Sequence, residues 1–113
     1  MGPSAREVKL SGSASRALDR LDRSGSTRSI SRRVRDLKPI LLADCLHGEV
    51  VRKRFIPREL RDEYGIENLF VEDLLEFWRL LYSIVHEGAD RFIVILEIVD
   101  HRRYDHWFPG RGR

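Results

Sequence analysis

Cysteine is almost missing from this chain of 113 residues. Cys45 is the only one, so no intramolecular disulfide can form and nothing points to an oxidising compartment. Long apolar runs are missing as well. A stretch such as Phe92–Leu96 falls far short of the roughly 18 to 20 residues that cross a bilayer, and the first thirty residues hold no signal-peptide core. The expectation is a cytoplasmic protein with no membrane contact. The length excludes much too: it allows one domain, residues 1–113, with a single modest core. Cys45 itself reads as a small apolar filler.

A large excess of one charge is also absent, since 21 Lys and Arg face 18 Asp and Glu for a net charge of +3. The distribution is uneven, however. Residues 1–39 carry ten Lys/Arg against four Asp/Glu, whereas residues 40–68 sum to −1 and residues 69–113 to −2. A basic surplus at one end attracts either phosphate or an acidic partner protein.

What is present is periodicity that changes along the chain. Residues 1–6 have the small, Pro-containing composition of a flexible end, and Glu7–Leu10 has the makings of a short strand. Ala14, Ala17, Leu18 and Leu21 recur on one helical face, with Ser11 or Ser13 as N-cap and Ser24-Gly25-Ser26 as the stop. Ile30, Val34, Leu37 and Leu41 mark a second helix from about Thr27, while Arg28, Arg32, Arg33 and Arg35 occupy its other faces. Pro39 is expected to kink or break that helix, leaving Ile40–Leu46 as a separate short turn. Pro57 opens a short helical run, Arg58–Tyr64, closed by Gly65. From Leu69 the signal is β: Leu69–Leu74, Phe77–Val85 and Arg91–Val99, with Glu87-Gly88-Ala89-Asp90 as a hairpin turn. Asp100–Phe108 reads as a last short helix or turn, and residues 109–113 as a mobile basic tail. The predicted class is α+β: an N-terminal helical hairpin on one face of a twisted, mostly antiparallel sheet.

Several segments then fall into a known order. Lys53-Arg54 precede Ile56-Pro57, Tyr64-Gly65 and Asn68-Leu69-Phe70 follow, then Trp78-Arg79-Leu80-Leu81-Tyr82, and last an apolar strand running into His101-Arg102-Arg103-Tyr104. In this order, from about Val8 to Phe108, the chain resembles the RelE/ParE superfamily of toxins from type II toxin–antitoxin systems, nearest an archaeal-type RelE-like branch. The resemblance implies two helices packed on a twisted antiparallel sheet. It implies cleavage of ribosome-bound mRNA or, in the ParE branch, inhibition of DNA gyrase without RNase activity. It further implies a small cognate antitoxin, the ribosome and mRNA as partners, DNA contact only through an antitoxin complex, and no cofactor. A fold alone does not choose among these, and a non-catalytic RNA- or protein-binding module on the same scaffold stays open.

Metal-free RNA cleavage needs a base for the 2′-hydroxyl proton, a cation for the phosphorane charge and an acid for the leaving oxygen. Arg79 matches the strand Arg of RNA-cleaving members, and its planar fork suits two phosphate oxygens. Its structural alternative is an ion pair with Glu97 or Glu72 across the sheet. His101 is a candidate acid or base, with Tyr104 beside it as proton donor or stacking platform. Alternatively His101 ends the strand against Asp100, and Tyr104 and Trp107 are core aromatics. Lys53 matches a basic residue that steadies the scissile phosphate, and Glu49 is a candidate general base. Arg52, Arg54, Arg102 and Arg103 are candidate phosphate or RNA contacts; Lys53 and Arg54 also read as a solvated basic turn. Two features depart from the family pattern: Val71 stands where many members have Arg, and Tyr104 follows the His-Arg-Arg segment more closely than their final Tyr. The repeat Asp100-His101 and Asp105-His106 invites a metal, but two His five apart on a helix diverge by about 140°. No metal is expected.

Overall fold

The computed structural model describes residues 2–110. Among them the chain forms four α-helices and a five-stranded mixed sheet, an α+β arrangement in which helices and strands interleave. The elements are β1 (Glu7–Leu10), α1 (Gly12–Arg23), α2 (Arg28–Ala43), β2 (Glu49–Val50), α3 (Arg58–Tyr64), β3 (Phe70–Asp73), β4 (Arg79–Glu87), β5 (Asp90–Val99) and α4 (His101–Trp107). Short 3₁₀ turns at Lys53–Phe55 and Leu75–Phe77 precede α3 and β4. The strands lie in the order β1-β5-β4-β3-β2, with β1 parallel to β5 and every other pairing antiparallel.

Two of the helix starts follow side-chain caps. Ser11 accepts the Ala14 N–H and begins α1, and Asp100 accepts the Arg103 N–H and begins α4. Gly88 adopts positive φ in the two-residue loop between the paired Glu87 and Asp90. Gly65 does the same at the end of α3.

Several expectations need correction. α2 runs without interruption through Pro39 to Ala43, so no separate turn follows the proline. Pro39 is exposed, which lets water satisfy the carbonyl one turn earlier, while buried Leu37 and Leu41 hold the helix on either side. Residues 3–6 are tied down: the Cys45 N–H bonds to the Pro3 carbonyl, the Ala5 N–H to Leu42 and the Arg6 N–H to Arg91. β4 starts two residues later than expected, because Leu75–Phe77 coils instead of extending. The expected tail falls at residues 109–113, of which 111–113 lie outside the described residues.

A single core was expected, yet both faces of the sheet are covered. α1 and α2 bury Leu18, Leu21, Val34, Leu37 and Leu41 against Leu80, Tyr82, Ile93, Ile95 and Ile98 on one face. On the other, α3 and α4 bring Leu60, Tyr104, Trp107 and Phe108 onto Val71, Leu81, Leu96 and Val99. A bulge at the centre governs this division. Leu81 pairs with Glu97 but the next residue, Tyr82, pairs with Ile95, so Leu96 is the extra residue. The slip reverses the in–out alternation of β5. Without it Glu97 would share the α1/α2 face with Ile93 and Ile95.

Candidate active site

Arg79 is the first residue of β4, directly opposite Asp73 on β3 and Val99 on β5. Its Nε lies 3.0 Å from Asp73 Oδ1, close enough for an ion pair but not aligned as a hydrogen bond. Nη1 donates to the Trp78 carbonyl at 3.2 Å. The guanidinium carbon sits 5.2 Å from the centre of the Tyr104 ring, a cation–π distance. The side chain is 6% exposed, so the fork expected to grip phosphate is turned inward. Nor does it pair with the two carboxylates considered from the sequence. Glu72 takes His47 Nδ1 at 2.6 Å, and Glu97 takes hydroxyl donors from Ser13 and Tyr64.

Tyr104 is buried on α4, three residues after His101 and so on the same side of the helix. His101 is exposed and meets the ring of Phe77 edge-on at 6.5 Å between centres. Phe77 is held there by unusual backbone. Glu76 and Phe77 have φ of 54° and 65°, in the left-handed region that residues with a Cβ seldom enter, and Phe77 is 68% exposed. Arg102 is exposed. Arg103 lies 4.7 Å over the Trp107 ring and 3.8 Å from Glu59 on α3.

Glu59 ties the two short helices together. It accepts Trp107 Nε1 at 3.2 Å and lies 3.3 Å from His106 Nε2. These contacts, the indole first and the imidazole second, hold its carboxyl below the usual range. His106 thus faces Glu59 while His101 faces Phe77. Among the described residues no group of three or more His, Cys, Asp and Glu converges as a ligand set.

The remaining candidates stand elsewhere. Glu49 is exposed on the outermost strand opposite Val71, two strands from Arg79. Arg52 leads into the 3₁₀ turn of Lys53 and Arg54, which lines a groove of about 420 Å³ with Ile56, Arg61, Ile66 and Glu67. There Arg61 Nη2 donates to the Lys53 carbonyl at 2.8 Å, and Arg54 lies over the Phe55 ring at 4.8 Å. Neither Arg79 nor His101 lines this groove. The fold therefore gathers Arg79, Tyr104 and His101 at one end of β4 and β5 and keeps Lys53 and Glu49 apart from them.

No protein-family model, curated protein or solved structure matches this chain.

Sequence reasoning missed Asp73, Glu59, Phe77 and Arg61. Asp73 was within reach of it, since a carboxylate and a guanidinium flanking the turn between two antiparallel strands fall opposite one another. Phe77 carried no signal, because an apolar residue beside Trp78 reads as strand. Glu59 needed the packing of α3 on α4.

Proposed function

We propose that this chain is the toxin of a toxin–antitoxin pair, an endoribonuclease that cuts ribosome-bound mRNA in the cytoplasm without a cofactor. The observation that carries the reading is the end of β4 and β5, where Arg79 and Tyr104 support the first turn of α4 and leave His101 and Arg102 exposed. Further support comes from the sequence order itself: two successive helices on one face of the sheet, a meander, and a terminal basic helix. In this mechanism His101 transfers the proton at the 2′-hydroxyl or the leaving 5′-oxygen, and Arg102 meets the charge developing on phosphorus. Arg79 acts as a positioning residue through Tyr104. Arg52, Lys53, Arg54 and Arg61 hold the RNA backbone away from the reacting phosphate, and Arg103 sets its position on Trp107. The small antitoxin blocks this end of the sheet.

Induced expression followed by mapping of mRNA 5′ ends tests the reading. Cuts within translated messages that disappear in His101→Ala are expected; intact messages together with DNA breaks would instead identify a ParE-like gyrase inhibitor. A second reading, a non-catalytic RNA-binding module, draws on the inward-turned Arg79 and on the separate basic groove. It predicts salt-sensitive RNA binding with no cuts at all.

A further inference from the structure

A second groove, of about 440 Å³, opens between α1 and the start of α4 across the end of β5; its walls include Ser13, Arg20, Trp78, Glu97, Asp100 and Arg103. Its size suits a small ligand. Glu97 is the unusual wall. It is only 9% exposed, and among the described residues no Lys, Arg or His lies within ion-pair distance of it. Two hydroxyls hold it instead: Ser13 Oγ donates to Oε1 at 2.8 Å and Tyr64 Oη to Oε2 at 2.5 Å. A carboxylate offers about four lone-pair positions, so each oxygen keeps one acceptor site free. Both oxygens are fixed in place, and a buried carboxylate without a cation gains from further donors.

Two parallel N–H groups complement such a pair of oxygens. A guanidinium has them, and so does the edge of guanine through N1–H and the 2-amino group. The same groove decides between these. Arg20, exposed and without an ion-pair partner among the described residues, and Arg103 repel a cationic side chain and attract a phosphate. The half-buried Trp78 indole adds an aromatic wall, to which a base is suited and which a phosphate alone would leave unused. Adenine, cytosine and uracil each lack two adjacent ring-edge donors. We propose that the α1/α4 groove is a guanine subsite, with Glu97 accepting from N1–H and the 2-amino group and Arg20 and Arg103 facing the phosphate. The proposal rests on the RNA-cleaving reading and names the base that the chain selects.

The test is titration of the whole protein with GMP, IMP and AMP, followed by amide chemical shifts. IMP lacks only the 2-amino group, so the comparison needs no variant. GMP is expected to bind about tenfold more tightly than IMP or AMP, the discrimination of one bidentate contact. Glu97→Gln should erase that preference, and Arg20→Ala should weaken all three nucleotides alike. GMP binding no more tightly than IMP overturns the proposal, as does tighter binding of arginine amide than of GMP, which would mark a peptide site. If Glu97→Gln does not fold, the wild-type ratio of GMP to IMP decides the matter alone. A guanine-containing tetranucleotide distinguishes RNA from free nucleotide: tighter binding than GMP supports the RNA source, and weaker binding assigns the groove to a free nucleotide. The two proposals fail separately. mRNA cuts without guanine bias and without GMP preference sink the subsite alone, whereas GMP preference without any cuts sinks the nuclease alone.

Discussion

The two faces of the sheet are covered by different means. On one, α1 and α2 run for 12 and 16 residues, and the buried contacts are mainly aliphatic. On the other, α3 and α4 have 7 residues each, and polar ties cross between elements: Glu59 to Trp107 and His106, Tyr64 to Glu97, Arg79 to Asp73 and the Tyr104 ring. The contrast has a physical cause. Helices of two turns bury too little apolar surface to hold themselves in place, so directional contacts supply what area does not. Directional contacts also bring charge to a precise location: Arg79 and Tyr104 sit on that second face, whereas the groove of Glu97 is shared with Arg20 of α1 and with Trp78, which packs against the first core.

This contrast sets the expected scale of perturbation. The largest effect belongs to the aliphatic face: Leu80→Ala, at a fully buried position, should lower stability by about 2 to 5 kcal/mol in urea unfolding. Arg79→Ala should cost less, about 1 to 3 kcal/mol, because Asp73 is 61% exposed and stays hydrated when its partner goes. In the proposed toxin, growth arrest should fall along with the melting temperature, so the variant tests position and not chemistry alone. If Arg79→Ala cost more than Leu80→Ala, the division into an aliphatic and a polar face would not stand.

The smallest effect is a pH dependence. The Glu59 carboxyl is lowered from its ordinary value of 4.5 by Trp107 and His106, so the folded state takes up its proton later than the unfolded chain. Its contribution is present above that ordinary value and is lost as pH falls below it. Glu59→Gln should flatten the acid limb of the melting curve accordingly. On the other face Asp22 is lowered to about 2 by its bond to Arg35, which acts in the same direction, so Asp22→Asn serves as the matched comparison. An acid limb abolished by Asp22→Asn and untouched by Glu59→Gln would mean that the short helices do not depend on their carboxylate tie.

The α1/α2 face was largely legible beforehand. Ala14, Ala17, Leu18 and Leu21, and then Ile30, Val34, Leu37 and Leu41, all lie buried where their spacing puts them. Tyr104 and Trp107 proved to be core aromatics, one of the two alternatives open from the sequence. The site was less legible. Arg79 was recognised as special, but its burial was not, since the Tyr104 ring that lies against its guanidinium is brought there only by the packing of α4. Lys53 and Glu49 entered the candidate site through the resemblance, one as a phosphate-steadying cation and the other as a general base. The strand order places them at the β2 edge of the sheet, away from His101.

Helical periodicity, the Ser11 and Asp100 caps and the Gly88 turn are local features, settled by steric and hydrogen-bonding preferences within a few residues, and the sequence determined them unaided. The burial of Arg79, the clamp of α3 on α4 through Glu59, and the entry of Glu97 into a groove beside Arg20 were decided only by tertiary structure. Each joins residues distant in sequence, and the one-residue slip between β4 and β5 is likewise fixed by the competition of whole faces for burial.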